Sequence, residues 1–118
     1  MIPAWARFRG VPENRYEEAE MAFAQIITLS TSKADEMAAL DQEWVKATEG
    51  KRTARRRIVL KDRNDPNRYY DIVFFDSYES AMENSNMPET SDFAGRMAAL
   101  CDGPMQFADC DVVEEVAY

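Results

Sequence analysis

Five polar side chains, Gln25, Arg56, Asp71, Tyr78 and Asn84, fall where strand and helix patterns are expected to face one interior space, and two aromatic residues, Trp44 and Phe74, are placed to wall it. A pocket lined mainly by aromatic rings with a few polar groups suits a flat, conjugated ligand. Trp44 is the more telling wall, because a buried indole N–H wants a hydrogen-bond partner and a ligand carbonyl would serve. Other chemistries are poorly provided for. The chain has no histidine, so a serine or cysteine nucleophile would lack its usual base. Its two cysteines, Cys101 and Cys110, are nine positions apart, and Cys101 belongs to an apolar helical stripe, so both read as small buried hydrophobes. The acids are scattered without a metal-binding loop. In Asp62-Arg63-Asn64-Asp65-Pro66-Asn67, Pro66 and Asn67 stand where a calcium ligand and an obligatory glycine belong. That segment is read as a turn, and no metal is expected.

The elements that must position these residues can be read from apolar period. Residues 23–30 form a strand with Phe23, Gln25, Ile27 and Leu29 on one face and Ala24, Ile26 and Thr28 on the other. Ser32 followed by Asp35 and Glu36 resembles a helix start, Met37, Leu40, Trp44 and Ala47 recur at helical spacing, and Gly50 is a fitting stop. Residues 55–61 and 68–76 make a hairpin around the turn. Its second strand puts Tyr70, Ile72 and Phe74 on one face and Tyr69, Asp71, Val73 and Phe75 on the other. Ser77 can cap a short helix, 78–85, which Pro88 interrupts and then restarts as a segment with Phe93, Met97, Leu100 and Cys101 in an apolar stripe. After Gly103-Pro104, residues 105–116 read as a last strand. The order is β-α-β-β-α-β, the ferredoxin-like α+β plan: a four-stranded antiparallel sheet with helices on one face.

At 118 residues the chain suits one domain. We divide it into an arm, residues 1–20, and a domain, residues 21–118, that is expected to need nothing upstream of Met21. The formal charge of −8 repels nucleic-acid backbones and anionic membranes. No stretch approaches the ~20 apolar residues of a membrane span, and no signal peptide is evident. The expected location is the cytoplasm, with neither nucleic acid nor membrane as a partner. The one local exception to the acidic balance is Lys51-Arg52-Thr53-Ala54-Arg55-Arg56-Arg57, which could draw in an acidic ligand. Alternation sends Arg55 and Arg57 one way and Arg56 the other, so at least one arginine must meet a sheet face and an acid there, for which Asp71 is a candidate.

Two small helices hide only one face of such a sheet, yet the strands at 23–30 and 68–76 are apolar on both. The missing cover is most economically a second copy of the chain, giving a homodimer through the sheet face. The element order, the double-faced strands and the segment Tyr78-Glu79-Ser80-Ala81-Met82-Glu83-Asn84-Ser85-Asn86-Met87-Pro88 resemble the dimeric α+β barrel superfamily, and within it the antibiotic biosynthesis monooxygenase-like group, over roughly residues 21–116. Members of that group often carry Tyr or Phe, then Ala, three residues later His, and four after that Pro. Here Ala81 and Pro88 match and Asn84 takes the histidine position, which speaks against the haem-degrading branch. The resemblance implies oxygenation of a phenolic or polyketide-like substrate by O2 without metal, flavin or other cofactor, the substrate itself supplying the electrons. Under it Asp71 would take a proton, Asn84 and Tyr78 would stabilise the resulting anion, and Trp44, Gln25, Arg56 and Phe74 would bind the ligand. The alternative is a non-catalytic ligand-binding or structural homodimer of the same fold, its cavity plugged by Trp44, Met37, Met82 and Met97.

Overall fold

The structure, a computed structural model, describes residues 22–118; the expected arm of residues 1–20 lies outside them. Strand β1, Phe23–Ser30, is the centre of the sheet because it is apolar on both faces and can be flanked on both edges. It pairs antiparallel with β3, Arg68–Phe75, on one side and with β4, Gln106–Asp111, on the other. Strand β2, Arg56–Lys61, pairs with β3, so the order is β2-β3-β1-β4. The expected α+β ferredoxin-like plan is present, with three helices.

Helix α1, Ala34–Ala47, crosses from β1 to β2. Ser32 does not cap it: its hydroxyl donates to Asp102, 3.2 Å away, while Thr31 Oγ1 accepts the Lys33 N–H at 3.0 Å. The helix closes at Thr48, whose hydroxyl and backbone N–H both donate to the Trp44 carbonyl, and Gly50 takes the left-handed φ of 78° that turns the chain away. Helix α2, Tyr78–Asn86, opens on a reciprocal capping box between Ser77 and Ser80. Met87, held extended by the following proline, breaks the run, and Pro88 starts α3, Pro88–Ala99. The last strand is shorter than the expected 105–116, because β1 offers partners only for Gln106 to Asp111 and the Val112 N–H makes a final bond to Ala22 O at 3.0 Å.

All three helices lie on one side of the sheet. Under them sit two apolar clusters: Ile27, Leu29, Met37, Leu40 and Met97 toward one end, and Phe23, Phe75 and Ala81 toward the other. Strand pairing places Ile26, Ile58, Leu60, Ile72 and Phe74 together on the side that the helices leave bare. Ile58 is 38% exposed there and Leu60 46%. No helix among the described residues is long and apolar enough to cross a membrane.

Candidate functional site

Between the two clusters the helix side of the sheet is incompletely filled. A cavity of about 230 Å³ is walled by Ile27 from one cluster and Phe75 from the other, together with Val73, Trp44 and Phe93. The two aromatic side chains from α1 and α3 pack against each other, ring centroids 5.9 Å apart at 38°, and form one continuous aromatic wall. The Trp44 indole N–H is not free for a ligand: it donates to Thr90 Oγ1 at 2.9 Å, locking the ring as a wall.

The cavity floor is an ionic group contributed by three elements. Arg57 on β2 grips Asp71 on β3 along one edge of its guanidinium, Nε to Oδ1 and Nη2 to Oδ2, both 2.8 Å. Nη2 also donates to Asp41 Oδ2 on α1 at 3.0 Å. Both Asp71 oxygens are therefore occupied, and the residue is only 4% exposed. Burial pulls the Arg57 pKa down, but the hydrogen bonds and charge of Asp71, with those of Asp41, outweigh it and hold the guanidinium above its ordinary value. Asp41 is different, because its Oδ1 is buried without a hydrogen-bond partner. Burial pushes its carboxyl pKa up, the charge and hydrogen bond of Arg57 resist, and nearby Asp71 adds to the rise. The same three residues also line a second space of about 170 Å³ beneath Met37 and Met97, so the ionic group is a partition between two cavities.

Asn84, 6% exposed on α2, is oriented by the loop after α1. The Thr53 backbone N–H can only donate, so the oxygen of the Asn84 amide must face it, at 3.2 Å. That leaves the amide nitrogen as a donor on the cavity side, where Asn84 is among the lining residues. Gln25 also lines the cavity, with its amide nitrogen donating to Asp109 Oδ1 at 3.2 Å.

Of the residues expected to share a site, Gln25, Trp44, Asp71 and Asn84 are brought together with Arg56 at their edge, and Phe74 and Tyr78 are placed elsewhere. Phe74 is on the bare side of the sheet, since it pairs with Ala24 and Arg56, both one step out of phase with Gln25 and Arg57; Phe75 is the β3 aromatic that reaches the cavity. Arg56 edges the cavity, but its guanidinium lies 4.5 Å from the Phe74 ring centroid, so the arginine of the floor is Arg57. Tyr78 is exposed and packs edge-on against Phe23, 5.5 Å between centroids, outside the lining. Sequence reasoning missed Asp41. The signal was there: Asp41 stands three before Trp44 and four after Met37, an acid on the apolar stripe of α1, and a charge on such a stripe needs a buried partner.

The cysteines fall on different surfaces. Cys101 Sγ donates to Met97 O at 3.3 Å, and burial, then Asp102, pushes its thiol pKa up; Cys110 pairs with Ala24 on the bare side. Among the described residues no group of three or more His, Cys, Asp or Glu is placed to hold a metal.

No family model matches the chain, and no curated protein matches it. Solved structures do. The crystal structure of SnoaB, a cofactor-independent oxygenase from Streptomyces nogalater, superposes with a TM-score of 0.71 over 82% of this chain and 98% of that one, at 11% identity. A structure described as an antibiotic biosynthesis monooxygenase gives 0.63 over 78% and 99%, at 14% identity. A conserved protein from Methanosarcina mazei Go1 gives 0.70 over 80% and 96%, at 10% identity. The chain has the antibiotic biosynthesis monooxygenase-like fold.

Proposed function

We propose that the chain is a homodimeric, cofactor-independent oxygenase that acts on a flat phenolic or polyketide-like molecule held between its helices and its sheet. The observation that supports this over a purely structural role is the open cavity itself. A structural reading needs Trp44, Met37, Met82 and Met97 to plug the space, whereas Trp44 is pinned to Thr90 as a wall and none of the three methionines is among the lining residues. The similarity in fold to a cofactor-independent oxygenase points the same way.

In this reading the ring system lies against the aromatic wall of Trp44 and Phe93. The Asn84 amide nitrogen, prevented from turning by the Thr53 N–H, stabilises the phenolate or enolate that reacts with O2. Because both Asp71 oxygens are engaged by Arg57, the proton passes to Asp41, whose raised pKa brings it closer to the range useful for a base at neutral pH. The bare side of the sheet, with Ile26, Ile58, Leu60, Ile72 and Phe74, is covered by the second copy.

Oxygen uptake with anthrone as substrate, in the presence of a chelator, tests the proposal. The expected result is enzyme-dependent consumption that falls about 10²-fold in Asn84→Ala, the scale of losing one anion-stabilising donor. Tight binding of anthrone with no oxygen uptake would instead favour the ligand-binding homodimer.

A further inference from the structure

The basic run 51–57 resolves into cations with different fates. Lys51 pairs with Glu89, Arg55 approaches Asp76 at 3.5 Å, and Arg57 holds Asp71 and Asp41. Arg56 stacks on Phe74 across the sheet. Arg52 has no carboxylate partner among the described residues, although it lines the cavity. Its Nη1 donates to Val45 O at 2.8 Å, with Thr48 Oγ1 at 3.5 Å, which ties the group to the end of α1. Its guanidinium carbon lies 5.9 Å from the centre of the Trp44 ring. The side chain is thus held beside the aromatic wall by one nitrogen.

The edge that remains is the informative part. Nη1 is used, while Nε and Nη2 make no hydrogen bond among the described residues. That is the same edge by which Arg57 grips the Asp71 carboxylate, with two parallel bonds of 2.8 Å. A planar carboxylate matches two parallel N–H donors in both geometry and charge. In a chain of formal charge −8, a guanidinium edge unpaired among the described residues, beside the aromatic wall of Trp44 and Phe93, selects for an anion.

We infer that the ligand of this cavity is an aromatic carboxylate, its ring against the wall of Trp44 and Phe93 and its carboxylate on the Nε–Nη2 edge of Arg52. The inference rests on the reading of the cavity as an aromatic ligand site and adds the charge that the ligand must carry.

Calorimetric titration of the full chain with anthraquinone-2-carboxylate and with anthraquinone-2-carboxamide separates the two. The carboxylate is expected to bind at least about tenfold more tightly at low salt, the scale of one charge-assisted hydrogen-bonded contact. Arg52→Gln is expected to abolish that preference while the carboxamide affinity stays within about twofold, and Arg52→Lys to restore part of it. Equal binding of the two probes to the unaltered chain overturns the inference and leaves the aromatic site standing; so does a preference that survives in Arg52→Gln. Failure of both probes to bind overturns the inference together with the reading beneath it. Should Arg52→Gln not fold, because Arg52 also caps α1, the acid-against-amide ratio in the unaltered chain and in Arg52→Lys still decides.

Discussion

On the helix side of the sheet, Gln25, Arg57 and Asp71 are each held by a partner from another element, whereas on the opposite side Ile26, Ile58, Leu60, Ile72 and Phe74 form a surface with Arg56 lying over it. The strands are the same; only the parity of the residue number differs. A polar group under helices must be fixed by directional bonds, and fixing it leaves gaps that a ligand can fill. An apolar surface has no such requirement and is satisfied by any matching apolar surface, of which a second copy is the most available. One sheet therefore divides a polar, incompletely filled side under the helices from an apolar, bare one.

Three substitutions test that division, in descending order of effect. Asp71→Asn removes the bidentate partner of Arg57 and strands a guanidinium that burial already disfavours. A loss of roughly 2 kcal/mol in urea unfolding is expected, below the range for breaking a fully buried pair, because Asp71 is buried but Arg57 is partly exposed and keeps Asp41. A loss below about 1 kcal/mol would mean that the ionic floor is not what fixes the helix side. On the bare side, Ile72→Asp puts a charge at the centre of the apolar surface. The expected outcome is conversion of a dimer to a monomer by sedimentation at micromolar concentration, a cost to association of about 2 kcal/mol. A chain that sediments as a monomer before substitution breaks the assignment of that surface to self-association.

The smallest effect concerns Asp41, and its sign is set by the direction of its pKa. Burial, first, and nearby Asp71 raise the folded-state value above the ordinary carboxylate value despite Arg57. Above both values the ionised, buried carboxylate therefore detracts from stability. That cost is relieved as the pH falls through the folded value toward the unfolded one. Asp41→Asn should accordingly be neutral or stabilising by less than ~1 kcal/mol at pH 7, with the advantage over the unaltered chain shrinking on acidification. A variant clearly less stable at pH 7 would show that the bond to Arg57 outweighs the orphaned oxygen.

Much of this was legible along the chain. Residues 23–30 were recognisable as a two-faced strand because Phe23, Ile27 and Leu29 alternate with Ala24 and Ile26, and the break at Pro88 followed from the conformation that a proline imposes on Met87. The site was legible in part. Asn84 and Trp44 are recognisable by type and helical phase, yet Phe74 and Arg56 are out of phase with Asp71, and Tyr78 packs on Phe23 outside the cavity lining. Asp41 is marked only by its place on the apolar stripe of α1, and nothing local names Arg57, 16 positions away, as its partner.

The sequence by itself determined the elements, their order and the two-faced character of the sheet, because apolar period and turn chemistry are local and are carried by residues a few positions apart. Tertiary structure alone decided that Arg57 rather than Arg56 meets Asp71, that Thr90 takes the Trp44 N–H, and that one edge of Arg52 has no partner among the described residues. Those outcomes depend on hydrogen-bond geometry between groups up to 46 positions apart, within a few tenths of an ångström, and no local pattern encodes distances of that kind.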